Sequence, residues 1–207
     1  MFSSQQILLV VADEFNSTKA KLSCFEDKKL IYKDIEVNLG KNGLGWGIGI
    51  KEIPHNSSEP IKREGDKKAP AGIFKLTKTF GYATQNISKM PYLYSDKNLI
   101  CVDDSHSSFY NQIIEANDNE KSFEYMRRKD KQYKYGIVVA HNPHALSNRG
   151  SCIFIHIQKE KSHPTVGCTS MAETDLKKII QWLDVEKNPI LIQIPKKYLK
   201  EIKSLIK

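Results

Sequence analysis

Short apolar runs broken by polar turn residues fill the first half of this chain, and the period becomes helical only after Gly167-Cys168. That late switch constrains the fold most, because it predicts a strand-dominated structure with its helices near the end. Residues 6–12, 20–25 and 29–37 read as strands, and Glu26-Asp27-Lys28-Lys29 reads as a hairpin turn between the second and third. Gly40, Gly43, Gly45, Gly47 and Gly49 fit no phosphate-cradling pattern and are read as a tight turn or bulge that needs positive φ. Further strands are expected over 73–76, 136–140, 151–156 and 190–194. Ala172, Leu176, Ile179, Ile180 and Leu183 fall on one face of a helix, which Asn188-Pro189 stops. The tail from Lys196 reads as a short amphipathic helix with Leu199, Ile202, Leu205 and Ile206 inward.

With 207 residues and 40% hydrophobic content, the chain can bury one good core, so 1–207 is read as a single domain. Residues 104–134 lack a sustained period but are rich in polar and aromatic side chains, which suggests an ordered insertion or lid beside a site. The apolar run Ile7–Ala12 is far shorter than the roughly 20 residues of a membrane helix and has no basic leader or cleavage site, so no transmembrane segment is expected. Both a cytoplasmic chain and one whose export signal has been removed fit this pattern. The formal net charge of +8 is spread along the sequence, densest at Arg127–Lys134, and no nucleic-acid-binding motif accompanies it. A solvated basic surface, or one attracted to a polyanionic envelope, is the reading; a nucleic-acid partner is not.

The cysteines are Cys24, Cys101, Cys152 and Cys168, with no C-x-x-C pair, which argues against structural zinc and a disulfide scaffold. If Cys168 is a nucleophile, at most one bridge remains, and Cys101 and Cys152 read as buried, inert thiols in apolar strands.

Ser170 followed by Glu173 has the form of a capping box, which would put the helix N-cap at Ser170 and Cys168 two residues before it. The positive end of the helix dipole would then lower the Cys168 thiol pKa, and the amides of Gly167, Cys168 and Thr169 would form an oxyanion hole. His156 closes the apolar strand Cys152–His156 and is the expected proton acceptor and donor.

His156 followed by Thr165-x-Gly167-Cys168 resembles the active-site signature of the L,D-transpeptidases, the YkuD-type catalytic domain. Lys62 to Leu76, with its Glu64-Gly65-Asp66 and Pro70-x-Gly72-x-Phe74, resembles that family's upstream motif, and Gly43–Gly49 and Phe80-Gly-Tyr82 fit the surrounding pattern. The resemblance spans roughly residues 30–195. It implies a β-rich α+β fold, an L,D-transpeptidase-type β-sandwich with short helices packed at its side. The reaction it implies is peptidoglycan acyl transfer. Cys168 attacks a tetrapeptide stem, D-alanine leaves, and a thioester passes to an amine in cell wall biogenesis or cell shape control. No metal or cofactor is implied, and the location implied is the periplasm or cell envelope. Many members carry a histidine directly before Gly-Cys and an Asn or Arg two residues after the cysteine; here those positions are Val166 and Ser170, which leaves the substrate open.

Around this pair, Arg63 and Arg127 are candidates for binding stem-peptide carboxylates, with Tyr92, His141 and Thr165 as further substrate contacts. The spacing of His141, His144, His156 and Cys168 matches no zinc motif. Three other readings stand beside the transpeptidase: an L,D-carboxypeptidase with water as acceptor, a non-catalytic envelope-binding module, and a cytoplasmic acyltransferase or peptidase with an unrelated substrate. The sequence leaves the oligomeric state open.

Overall fold

The computed structural model describes residues 4–206. The apolar runs form β1 (Gln6–Ala12), β2 (Lys19–Glu26) and β3 (Lys29–Asn38), a meander whose second turn has Asp27 and Lys28 at positive φ, as a tight hairpin requires. After β4 (Leu44–Trp46), the long β5 (Ala69–Gly81) pairs with β4, with β6 (Tyr92–Tyr94), and with two strands from late in the chain. Those are β10 (Tyr135–Val139) and β13 (Ile190–Pro195). Between them come β11 (Phe154–Ile157), β12 (Thr169–Met171) and α1 (Glu173–Trp182).

The large sheet, ten-stranded among the described residues, runs β10-β11-β12-β3-β2-β1-β13-β5-β4 with β6 paired to β5 off this path, and the β10–β5 pairing closes it on itself. The expected sandwich is therefore replaced by a barrel-like sheet. Its cause lies in β5, whose two edges serve different partners, β13 and β10, so the sheet curls instead of stacking. The parallel β1–β13 pair is buried at almost every position, whereas β3 is largely exposed, so the apolar density of each run reflects how many of its faces are covered. Leu176, Ile179 and Ile180 of α1 join the same core as Leu8, Phe74, Ile155 and Met171.

Residues 99–125 build a separate antiparallel sheet, β8-β7-β9, from β7 (Leu99–Val102), β8 (Ile113–Glu115) and β9 (Phe123–Tyr125). A second core joins this sheet to the barrel: Leu99, Cys101 and Met126 meet Phe80, Tyr133, Phe154 and Cys168. Cys101 and Cys152 are bonded to each other across a sequence separation of 51, not buried as separate thiols. The insertion's fold-back brings them together, which their local apolar context does not reveal.

Three local expectations also change. Only Gly43 in the glycine series takes positive φ (+74°); at Gly49 the constraint is close approach, since a Cβ there would stand 2.0 Å from the Ile73 carbonyl oxygen. The tail is a 3-10 turn, Lys196–Tyr198, followed by the short α2 (Lys203–Ile206); Ile202 is buried, and the Ile206 side chain lies outside the described residues. The chain leaves α1 at Leu183, before Asn188, and a second 3-10 turn at Val185–Lys187 intervenes.

Among the described residues no helix is long and apolar enough to cross a membrane.

Candidate active site

Cys168 and His156 are brought together by the parallel pairing of β11 with β12. His156 stands opposite Ser170, and Ile155 opposite Thr169, so Cys168, two residues before Ser170, projects to the same face as His156. The Phe154 amide donates to Cys168 Sγ at 3.3 Å, and the thiol in turn points at the Cys152 carbonyl, 3.5 Å away. His156 Nδ1 lies 2.8 Å from the Ile157 carbonyl oxygen. A carbonyl only accepts, so Nδ1 carries the proton and Nε2 keeps its lone pair.

Ser170 does not cap the helix. It lies inside β12, paired with Asn38 of β3 on one side and His156 on the other, and its hydroxyl accepts from the Asn38 side chain. The N-cap is Ala172, which makes no side-chain cap bond, and Glu173 instead pairs with Lys134. Sheet pairing on both sides overrides the local capping signal. The helix dipole is thus too distant to activate the thiol, since its influence is confined to the first turn. The second core buries Cys168 and pushes its thiol pKa up to about 12, not down, with the Glu124 carboxyl adding to the shift. Burial also pulls His156 down to about 4. The resting pair is therefore a neutral thiol beside a neutral imidazole.

The pair opens onto a cleft of about 480 Å³. Its walls come from the Glu64-Gly65 turn, the insertion (Asp103, Glu124), Arg128–Tyr133, and the loop that ends at Cys168. The Tyr133 ring packs edge-on against His156 with centroids 5.2 Å apart, and its hydroxyl donates to Glu124 at 2.7 Å. Burial pushes the Glu124 carboxyl up to about 7.

The remaining candidates divide sharply. Thr165 lines the cleft, but its hydroxyl is spent on the backbone: it donates to the Cys168 carbonyl at 2.6 Å and accepts from the Gly167 amide at 3.1 Å. Gly167, at φ +153°, is a conformation suited to glycine, and its amide is not offered to the cleft as an oxyanion donor. The Thr169 side chain is buried and donates to Gln193. Arg63 is exposed and does not line the cleft. Arg127 instead stacks over Tyr82 at 4.7 Å and donates to the Ser95 carbonyl. Tyr92 donates to the Ala83 carbonyl, away from the cleft. His141 is buried outside the cleft, with Nε2 2.9 Å from the Arg149 carbonyl and its pKa pulled by burial to about 4. The cleft's own charged residues Lys62, Glu124 and Arg128 carried no sequence signal of burial, because such side chains are ordinarily exposed.

The barrel-like β domain thus places Cys168 and His156 on the wall of one cleft. Residues 10–192 match the L,D-transpeptidase catalytic domain (YkuD), and the chain belongs to that family. Among curated proteins none matches the chain. Among solved structures, the helical cell shape determining protein Pgp2 (K307A mutant) of Campylobacter jejuni is similar at 14% identity and a TM-score of 0.42. The match covers 94% of this chain and 49% of Pgp2, so the chain spans about half the length of that protein.

Proposed function

We propose that this chain is a cysteine-dependent L,D-transpeptidase of peptidoglycan, with Cys168 as nucleophile and His156 as its base. The observation that carries the reading is the fixed tautomer of His156: the Ile157 carbonyl holds Nδ1–H, which leaves Nε2 as a proton acceptor on the face it shares with Cys168. A base with a pKa near 4 is unprotonated at any physiological pH, and a neutral thiol needs such a base to become a nucleophile.

The step balances as follows. Sγ–H gives its proton to His156 Nε2 as Sγ bonds the stem-peptide carbonyl carbon, and the carbonyl π pair moves onto oxygen. The oxyanion then collapses, the C–N bond to D-alanine breaks, and His156 returns the proton to the leaving amine. A thioester remains on Cys168. An amine of a second stem resolves it by transpeptidation, and water resolves it by carboxypeptidation. The Cys101–Cys152 disulfide favours an oxidising compartment, and hence the periplasm or cell envelope, as the place of action.

Incubation of the protein with disaccharide-tetrapeptides, read by mass spectrometry of the products, tests the reading. Cross-linked dimers are expected; tripeptides with free D-alanine would assign water as acceptor. Unchanged substrate would contradict both.

A further inference from the structure

Lys62 is 3% exposed, an unusual place for a lysine, and the fold makes room for it. Its stem runs past Gly150, where a Cβ would stand 3.0 Å from Lys62 Cε. Two of the three ammonium hydrogens are occupied, by the Arg63 carbonyl at 2.7 Å and by Asp66 Oδ1 at 2.6 Å. Asp66 is itself shared, since it accepts from the Arg63 and Lys68 amides as well. The Nζ lies in the cleft wall, 3.9 Å from where a Cβ on Gly167 would be. A buried ion pair is weak evidence for stability, because desolvating both charges offsets most of their attraction. Its placement beside the nucleophile therefore calls for another account.

The site around Cys168 lacks the usual sources of positive potential. The helix N-terminus begins only at Glu173, and the Gly167 amide is engaged by Thr165. The Glu124 carboxyl faces the thiol from the insertion side and opposes a negative charge there. Of the two cations whose fields favour the thiolate, Lys62 and Arg128, the second is turned into a two-pronged bond with Asp130 at 2.6–3.3 Å. His156 is neutral at rest, and Glu64, Lys67, Asp103, Lys159 and His163 also line the cleft.

We propose that Lys62 is an electrostatic positioning residue of the acyl-transfer centre, its buried ammonium stabilising the negative charge that develops at Cys168 Sγ and on the attacked carbonyl oxygen. Asp66 holds the ammonium in place. The inference rests on the acyl-transfer reading for its substrate, but the Lys62–Cys168 coupling exists without one and can be measured without peptidoglycan.

The experiment is the pH dependence of iodoacetamide alkylation at Cys168 in the whole protein, with peptide mapping to separate Cys168 from Cys24. Lys62→Met is expected to lower the alkylation rate constant about tenfold between pH 7 and 9, the effect of roughly one unit of thiol pKa, while Lys62→Arg stays within about threefold of the parent. If Lys62→Met alone does not fold, because Asp66 loses its cation, the double variant Lys62→Met/Asp66→Asn removes both charges and is read the same way. An alkylation profile unchanged in a folded charge-free variant overturns the proposal. Formation of the stem-peptide thioester at the parent rate in that variant also overturns it, and leaves acyl transfer standing. A slowed alkylation with no thioester in any protein, parent included, supports the coupling and overturns the acyl-transfer reading instead.

Discussion

The Phe154 amide donates to Cys168 Sγ at 3.3 Å, and that single bond ties the thiol to the strand that carries His156. Phe154 and His156 lie two apart in β11 and so face the same side, with Cys168 seated across from them at the entrance to β12. The geometry of the pair is thus set by sheet register, not by a flexible loop. Its electrostatics are set by the insertion packed over it.

If His156 is the base, then His156→Gln should lower the rate of thioester formation by about 10²- to 10⁴-fold, the usual weight of a positioned acid–base group. The fold should persist, because glutamine can still donate to the Ile157 carbonyl. Single-turnover kinetics followed by intact-protein mass spectrometry, with near-ultraviolet circular dichroism as the control, reads both. A rate within a few-fold of the parent would remove His156 from the chemistry.

The disulfide clamps the insertion sheet to the segment ahead of β11. Its loss in Cys101→Ala/Cys152→Ala removes a constraint worth about 2–5 kcal/mol, or on the order of 5–15 °C in melting temperature. Because the same sheet covers Cys168, the variant should also label faster at Cys168 with a bulky maleimide. Calorimetry and peptide-mapped labelling check the two effects separately.

Acid should destabilise the protein in a defined window. His141 and His156 titrate near 4 in the fold against an ordinary 6.5, so between those values the unfolded chain binds more protons. Their contribution is fully present above 6.5 and lost as pH falls through 4. The Glu124 carboxyl, raised to about 7 from 4.5, acts in the opposite sense: its contribution is present below 4.5 and lost as pH rises through 7. With two histidines against one carboxyl, melting should fall by on the order of 5–10 °C from pH 7 to pH 4.5. Glu124→Gln removes the counterweight and should make the acid loss steeper.

Much of this was legible in the residues. The runs at 6–12 and 29–37, the Asp27-Lys28 turn and the helical stripe Leu176-Ile179-Ile180 each carry a local period, and each folds accordingly. Strand ends and the Thr165-x-Gly167-Cys168 motif pointed to His156 and Cys168 as neighbours, and both line the same cleft. What was not legible depends on contacts distant in sequence. Ser170 and Glu173 have the spacing of a capping box, yet Asn38 and His156 flank Ser170 and draw it into the sheet. Cys101 meets Cys152 only after the insertion folds back. Arg127 looked like a carboxylate clamp but stacks on Tyr82, while Lys62, whose burial no local sequence signal marks, lines the cleft that holds Cys168. The expected fall in the Cys168 pKa reverses for the same reason, since the burial that raises it comes from a core the insertion shares with the barrel.

The central claim is that Cys168 forms a thioester with a peptidoglycan stem. Intact-protein and peptide-level mass spectrometry after incubation with disaccharide-tetrapeptides tests it most directly. The account predicts an adduct of the stem less D-alanine, mapped to Cys168 and absent from a folded Cys168→Ala variant. An adduct mapped elsewhere, or turnover that survives in Cys168→Ala, would contradict it.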